Sequence, residues 1–160
     1  MTTEPLSQDA LAALFQVNAK GHLSKRESSS LELKETFNWG SRSRYAKTMA
    51  AFANARGGYL VFGIKDRPHE LAGMKNDAFD QLDDADLSQF LNEYFAPELR
   101  VERQVYEVGG KEFGVIWVHE ATSKPTVCTK NSGDALKESD IYYRYRAASS
   151  RIRYPELRSL

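Results

Sequence analysis

The apolar run "YLVFGI", Tyr59 to Ile64, constrains the fold of this chain more than any other stretch. Its nearly continuous hydrophobic side chains are typical of a strand that is buried on both faces in the middle of a sheet. Gly57 and Gly58 precede it, and the segment before them repeats alanines and Met49 at helical spacing. Gly57 is expected to close that helix in the left-handed conformation. We therefore predict a helix from about Arg44 to Ala55 that leads directly into a central strand.

The rest of the chain alternates between helical and strand patterns. Residues 7–20 predict a helix with Ser7 as N-cap, and "DADLSQFLNEYF" predicts an amphipathic helix that ends before Pro97. "SSLELKE" predicts a first strand, and two strand patterns flank Gly109 and Gly110 as in a hairpin. "SKPTVCTK" and "IYYRYR" predict further strands, and "PELRSL" is typical of a helix start. This order predicts the α+β class, with a mixed β-sheet and flanking helices in a single domain.

Length and composition limit the possible functions. The chain has 160 residues, enough for one domain with a substantial core. We expect residues 1–24 to form an N-terminal helix and lead-in, and residues 25–160 to form the main domain. The sequence stops within the last helical pattern, which predicts a longer protein. One cysteine and three scattered histidines do not predict a zinc site. No signal peptide or membrane span is indicated, so we expect a cytoplasmic location and no membrane partner.

The charge is unevenly distributed although it sums to zero. A neutral total argues against wholesale electrostatic binding to nucleic acid. The segment from Arg144 to Leu160, however, holds five arginines and one acidic residue, Glu156. A neutral sum can therefore conceal a basic binding stripe, although ordinary scatter of charges would look the same.

Several motifs, taken in order, resemble the AlbA-like domain of the Schlafen family. They are "ESSSLELK", "AFANARGGYLVFGIKD", "LAG", "KEFGVIWVHEATSKP" and "IYYRYRAASSR", and together they run from Glu27 to about Arg151. The resemblance implies a nucleic-acid-binding fold, and in some animal members a metal-dependent nuclease that cuts structured RNA such as tRNA. Its nuclease members carry two glutamates at the start of the first strand and an aspartate after the central strand. Glu27, Glu32 and Asp66 fall on those positions.

The chemistry of these side chains supports the same interpretation. If the first strand pairs beside "YLVFGI", the carboxylates of Glu27, Glu32 and Asp66 converge near one edge of the sheet. Oxygen ligands of this kind suit Mg²⁺ or Mn²⁺, which can polarise a phosphodiester and activate water. Lys34 shares a strand face with Glu32 and could stabilise the charge that develops on phosphate. The alternative is an ordinary strand with a solvated acidic face.

Basic residues supply candidate phosphate contacts. Those near the start of the second helix are Arg42, Arg44 and Lys47, and those of the C-terminal segment are Arg144, Arg146, Arg151 and Arg153. Arg144 and Arg146 are expected to share one face of the last strand, opposite Tyr143 and Tyr145. The alternative is that these arginines are solvated and the tyrosines fill the core.

Two functions remain open on these residues. One is a metal-dependent endoribonuclease that uses Glu27, Glu32, Asp66 and Lys34. The other is a non-catalytic DNA- or RNA-binding module with a regulatory or adaptor role. RNA is favoured over DNA as the partner, because the resemblance includes enzymes that act on tRNA. Animal nuclease members carry two such lobes and this chain carries one, so we also expect a homodimer. A Walker-type ATP site is not indicated, because no "GK[ST]" occurs and Gly57 follows a helix instead of preceding one.

Overall fold

The computed structural model describes residues 4–160. Residues 1–3, which belong to the predicted N-terminal segment, lie outside the described residues. The regular elements, in chain order, are α1 (Gln8–Leu14), β1 (Leu31–Lys34), a single 3-10 turn (Trp39–Ser41), α2 (Arg42–Asn54), β2 (Gly58–Phe62), β3 (Ile64–Lys65), β4 (Glu70–Leu71), α3 (Ala78–Gln81), α4 (Asp84–Tyr94), β5 (Phe95–Ala96), β6 (Val101–Val108), β7 (Lys111–Val118), β8 (Val127–Cys128), β9 (Tyr142–Tyr145), β10 (Ala148–Arg151) and α5 (Tyr154–Ser159).

A four-stranded mixed sheet forms the centre of the molecule, in the order β1-β2-β7-β6. β1 runs parallel to β2, with Glu32 opposite Leu60 and Lys34 opposite Phe62. The β2–β7 and β7–β6 pairs are antiparallel, and the β6–β7 hairpin turns at the two predicted glycines. β2 therefore lies inside the sheet, and Leu60, Val61 and Phe62 are almost fully buried. The predicted α+β class, mixed sheet and central strand are all confirmed.

Each face of the sheet is covered by a different part of the chain. On one face α2 buries Met49 and Phe52 together with Leu60 and Phe62 of β2. On the other face the residues of α1 and its C-terminus pack against β1, β2 and β7; they include Leu11, Leu14, Phe15, Leu31, Leu33, Val61 and Val115. Side chains alternate along a strand, so Glu32 and Lys34 project toward the α2 side while Leu31 and Leu33 project toward α1.

The first helix is shorter than predicted. Ser7 caps it as expected, because its hydroxyl accepts a hydrogen bond from the Ala10 amide, but the helix ends at Leu14 instead of continuing to residue 20. The Asn18 side chain accepts from the amides of Lys20 and His22, at 2.9 and 3.1 Å. An asparagine that bonds the backbone in this way stabilises a turn in competition with the helix.

The second helix agrees well with the sequence. It spans Arg42–Asn54, two residues earlier than predicted at its start, and Gly57 has φ +81°. A Cβ on Gly57 would lie 2.6 Å from the Val118 carbonyl oxygen. The glycine pair is thus a closely packed connection against β7, in accord with the structural role that the helix–glycine–strand order predicts.

The C-terminal strand prediction needs correction. β9 ends at Tyr145, Arg146 takes φ +53° in a turn, and β10 returns to pair with β9. Arg144 is buried whereas Tyr143 and Tyr145 are only half-buried, so these two tyrosines do not fill the core, and the core tyrosine of β9 is Tyr142. The two arginines therefore do not share a strand face. Arg144 points inward because backbone carbonyls and a carboxylate accept its hydrogen bonds there.

No helix within residues 4–160 is long and apolar enough to span a membrane.

Candidate nucleic-acid interface

Glu32 lies at the centre of the predicted site and is not solvated. Its Oε1 lies 2.9 Å from Arg144 Nη2, and its Oε2 lies 3.0 Å from Lys34 Nζ. The side chain of Glu32 is 12% exposed and that of Arg144 is 1% exposed. The acidic strand face is therefore covered by a C-terminal strand, and the alternative of an ordinary solvated face does not hold at Glu32.

Arg144 fixes the start of β1 through its whole guanidinium group. Nε donates to the Ser28 carbonyl at 3.0 Å, Nη2 to the Leu31 carbonyl at 3.0 Å, and Nη1 to Ser149 Oγ at 2.9 Å. Its Cζ also lies 4.9 Å from the centre of the Phe52 ring. A planar group with donors in fixed directions can bind several acceptors at once, which a lysine could not do in the same way. Arg144 thus ties together β9, β10, α2 and the turn that precedes β1.

Glu27 lies beside Glu32, and the pKa of its carboxyl group is raised. Burial, and then the charge of Glu32 and a hydrogen bond with it, raise the pKa of Glu27 from 4.5 to about 7, while the charges of Arg144 and Lys34 act in the opposite direction. Two adjacent carboxylates hold a proton more easily than either alone. Glu27 and Glu32 are therefore neighbours in the structure.

Asp66 is placed differently from the two glutamates. It lies after β3 with its side chain 73% exposed, and its Oδ1 lies 3.4 Å from His69 Nε2. Asp66 and Glu27 line one open cavity of about 910 Å³, which does not include Glu32. Glu27 thus neighbours Glu32 and shares an open cavity with Asp66, but the three acids are not gathered around one point.

The sequence predicts that the carboxylate oxygens of Glu27, Glu32 and Asp66 bind a divalent ion. Within the described part of the chain, no three side chains of His, Cys, Asp or Glu are close enough to hold a metal ion. Both oxygens of Glu32 already pair with cations. As placed, these donors do not form a metal centre.

A polar cleft of about 310 Å³ opens on the α2 side of Glu32, and we call it the basic cleft. Its charged lining consists of four cations and two acids, namely Lys34, Arg44, Lys47, Arg144, Glu32 and Asp134. Arg44 is exposed and Lys47 is half-buried, with its Nζ 5.3 Å from the centre of the Tyr142 ring. The excess of positive charge in a concave polar surface suits an anionic ligand.

The other predicted basic residues lie elsewhere. Arg42 donates to the Trp39 carbonyl and lies over the rings of Trp39 and Phe90, which gives it a structural role at the start of α2. Arg146 is exposed in the β9–β10 turn, next to Ala147 of the cleft lining. Arg151 is 75% exposed and Arg153 lies 4.4 Å from the centre of the Tyr145 ring.

Sequence reasoning missed part of the cleft lining. Asp134 comes from the polar loop before β9, Thr48 from α2 and Ser149 from β10. Thr48 follows Lys47 and is spaced one helical turn from Arg44, so the pattern of α2 could have revealed it. Asp134 lies far along the chain in a loop without a local signal, and only folding brings it to α2.

Comparison with known proteins identifies the family of this chain. The Schlafen AlbA_2 family model matches residues 27–153. The chain belongs to the Schlafen AlbA_2 family, as the motifs indicated. The matched range begins at Glu27 and ends at Arg153, so it includes the glutamate pair, α2 and both C-terminal strands.

Similar proteins include one curated relative and two solved structures. The uncharacterized ATP-binding protein UU034 of Ureaplasma parvum serovar 3 is 36% identical over 154 residues, which cover 88% of this chain and 43% of the relative. The chain thus spans less than half the length of that protein. The crystal structure of the DIP2311 protein from Corynebacterium diphtheriae superposes with a TM-score of 0.60 at 18% identity, over 89% of this chain and 25% of that one. That likeness concerns the fold alone.

The second solved structure is the N-terminal domain of a RecG-related protein from Nitrosomonas europaea, determined by NMR. It is 30% identical, has a TM-score of 0.49, and the match covers 82% of this chain and 86% of that one.

Proposed function

We propose that this domain binds nucleic acid through the basic cleft. The observation that carries the proposal is the convergence of Lys34, Arg44 and Lys47 on one cleft beside the buried Arg144. Lysine and arginine side chains neutralise backbone phosphates and release counterions from the nucleic acid, which is the main source of such affinity. Because Arg144 and Lys34 both pair with Glu32, the main phosphate contacts fall to Arg44 and Lys47.

We favour RNA over DNA as the ligand. Asp134 and Glu32 place carboxylate oxygens among the cations of the cleft. A carboxylate repels phosphate, but it accepts a hydrogen bond from a ribose 2′-hydroxyl, which DNA lacks. Asp134→Ala, which removes the acceptor, should therefore lower the affinity for RNA relative to the affinity for DNA.

The test of the proposal is an affinity measurement at several salt concentrations. Arg44→Ala/Lys47→Ala should weaken binding of single-stranded RNA and lower the log–log salt slope by about 0.7 for each phosphate that is no longer neutralised. Lys20→Ala/Arg56→Ala is the matched control, because it removes the same charges from exposed positions outside the cleft. Equal effects of the two double variants would show that binding does not depend on the cleft.

A second candidate is the metal-dependent endoribonuclease, with Glu27, Glu32 and Asp66 as ligands of Mg²⁺ or Mn²⁺ and Lys34 near the phosphate. The observation that favours it is the adjacent glutamate pair, in which the pKa of Glu27 is raised by burial and by Glu32. A bound divalent cation would relieve that repulsion. To gather three ligands, Glu32 would have to exchange a cationic partner and Asp66 would have to leave His69.

Cleavage of tRNA in the presence of Mn²⁺ tests this candidate. Cleavage should be lost with a chelator and in Glu27→Gln, and retained in Glu35→Gln, since Glu35 lies nearby but pairs with Lys75 outside the site. Uncut tRNA with the parent protein, or equal rates in the two variants, contradicts the nuclease and leaves the non-catalytic binding module.

Self-association is the remaining part of the proposal. Tyr154 and Leu157 of α5 are large hydrophobic side chains that are 70% and 42% exposed. Two-fold pairing is the commonest symmetry of soluble oligomers, and it would place two basic clefts around one ligand. Light scattering with RNA present should give a dimer that Leu157→Lys converts to a monomer. A monomer with one RNA for each parent chain contradicts the pairing.

A further inference from the structure

A second cavity lies on the other side of β1 from the basic cleft, between α1 and the turn that precedes the strand. Its volume is about 670 Å³, and we call it the α1 pocket. Its lining includes Ala13 and Leu14 of α1, Leu31, the aromatic residue Tyr59, and the two cations Lys25 and Arg26. The α1 pocket therefore combines an apolar wall, an aromatic side chain and positive charge.

The aromatic side chain is held in position. The Tyr59 hydroxyl donates to the Pro5 carbonyl at 2.8 Å, and the Tyr59 ring lies 4.7 Å from the ring of Trp117, centre to centre. Because both the hydroxyl and the ring of this half-buried tyrosine already have partners, the side chain loses little conformational freedom when a planar group packs on it. Aromatic rings with adjacent cations are the features on which nucleobases stack while their phosphates are neutralised.

The cations of the α1 pocket are free to bind an anion. Lys25 and Arg26 are both exposed, and neither forms a salt bridge with any acid in the described part of the chain. Asp9 also lines the α1 pocket. Its carboxylate repels phosphate and accepts from hydroxyl or amino groups, so a phosphate would be directed toward the two cations.

One residue connects the α1 pocket to the basic cleft. The turn from Ser28 to Leu31 forms a wall of the α1 pocket, and it is closed by a hydrogen bond of 2.9 Å from the Ser28 amide to the Leu31 carbonyl. Arg144, which lines the basic cleft, donates to the Ser28 and Leu31 carbonyls of this same turn. The basic cleft and the α1 pocket therefore border the same turn, on either side of β1.

We propose that the α1 pocket holds one nucleotide, with its base against Tyr59 and the apolar wall and its phosphate between Lys25 and Arg26. This inference deepens the proposed function and rests on it. The nucleotide can come from two sources. The nucleotide is either part of the single strand that occupies the basic cleft, or a free nucleotide. Both sources present the same chemistry to the pocket, and the experiment separates them.

The test fills the α1 pocket from its exposed rim. Ala13 is an exposed helix position that lines the pocket, so Ala13→Trp occupies the space without changing the core. Ala12→Trp is the matched control, because Ala12 is equally exposed on the same helix but is not part of the lining. Binding is measured for a fluorescent oligouridine and, separately, for AMP and UMP by chemical-shift changes.

Ala13→Trp should weaken oligouridine binding by about five-fold or more, which is the loss of one stacked base, while Ala12→Trp stays within about two-fold of the parent. Lys25→Gln/Arg26→Gln should weaken it similarly. If only AMP or UMP binds the parent, and Ala13→Trp abolishes that binding, the pocket takes a free nucleotide.

Two further results are decisive. If Arg44→Ala/Lys47→Ala weakens oligouridine binding but Ala13→Trp affects neither ligand class, the pocket proposal is wrong and the basic cleft stands. If the parent binds no oligonucleotide and no mononucleotide, both proposals are wrong.

Discussion

The guanidinium of Arg144 forms a buried ion pair with the carboxylate of Glu32, 2.9 Å from Nη2 to Oε1. The two residues lie on β9 and β1, which belong to different sheets, and the pair joins those sheets. All nitrogens of the guanidinium have acceptors, so the desolvation of the charge is compensated. The same guanidinium binds the carbonyls of Ser28 and Leu31 and so holds the turn at the start of β1.

Replacing either Arg144 or Glu32 should lower the free energy of unfolding. Arg144→Gln leaves Glu32 with a less complete set of partners and frees two carbonyls, so we expect a loss of about 3–5 kcal/mol in the free energy of unfolding. The double variant Glu32→Gln/Arg144→Gln should lose less than the sum of the two single variants. Urea denaturation measures all four proteins.

Arg151→Gln is the control for that cycle. Arg151 is 75% exposed and lies 3.7 Å from Asp140, so its replacement should change stability by no more than about 0.5 kcal/mol. A loss in Arg144→Gln as small as in the control would show that the buried pair contributes nothing.

The raised pKa of Glu27 predicts a specific pH dependence. Burial and then Glu32 raise this pKa from its ordinary value of 4.5 to about 7, so the folded state binds a proton that the unfolded state releases. This contribution to stability is complete below pH 4.5 and is lost as the pH rises through 7. Glu27→Gln should remove this part of the slope and stabilise the protein at pH 8 by about 1 kcal/mol, after allowance for solvent screening.

The measurement is a series of chemical denaturations from pH 5 to pH 8 for the parent and Glu27→Gln. Glu35→Gln serves as control, since Glu35 pairs with Lys75 at the surface. Parallel curves for the parent and Glu27→Gln would contradict the raised pKa.

Asn54 is expected to be a major contributor to stability. It is 1% exposed; its amide donates to the carbonyls of Thr126 and Tyr142 at 3.0 and 2.9 Å, and its oxygen accepts from the Thr126 amide at 2.8 Å. Asn54→Ala leaves three buried backbone groups without partners and should cost about 3 kcal/mol or more. Asn92→Ala, at an exposed position of α4, should change stability by less than about 0.5 kcal/mol. Thermal unfolding distinguishes the two.

The two glycine turns should differ in their tolerance of alanine. Gly57 and Gly109 both have positive φ, at +81° and +61°, so both substitutions strain the backbone by about 1 kcal/mol. A Cβ at Gly57 also meets the Val118 carbonyl oxygen at 2.6 Å, whereas nothing lies within 4 Å at Gly109. Gly57→Ala should therefore lower the melting temperature clearly more than Gly109→Ala, and equal shifts would contradict the packing.

The sequence by itself determined the elements whose signals are local. The apolar run at Tyr59, the paired glycines at Gly109 and the Ser7 cap depend on side-chain periodicity and backbone preference, which act over a few residues. The ordered motifs from Glu27 to Arg151 also identified the family. The alternation of apolar and polar residues around Glu32 predicted that Glu32 and Lys34 share one face of the strand. The end of α1 was misjudged because the Asn18 turn competes with helix propensity.

Only the tertiary structure decided what surrounds Glu32. Arg144 lies more than a hundred residues away in the sequence, and it turns inward because the carbonyls of Ser28 and Leu31 and the Glu32 carboxylate satisfy its donors together. No local pattern distinguishes this arginine from the exposed Arg146, since both lie in the same alternating stretch. The cost of burying a charge depends on partners that meet only on folding, and so the basic cleft, the α1 pocket and the separation of Asp66 from the glutamates could not be predicted.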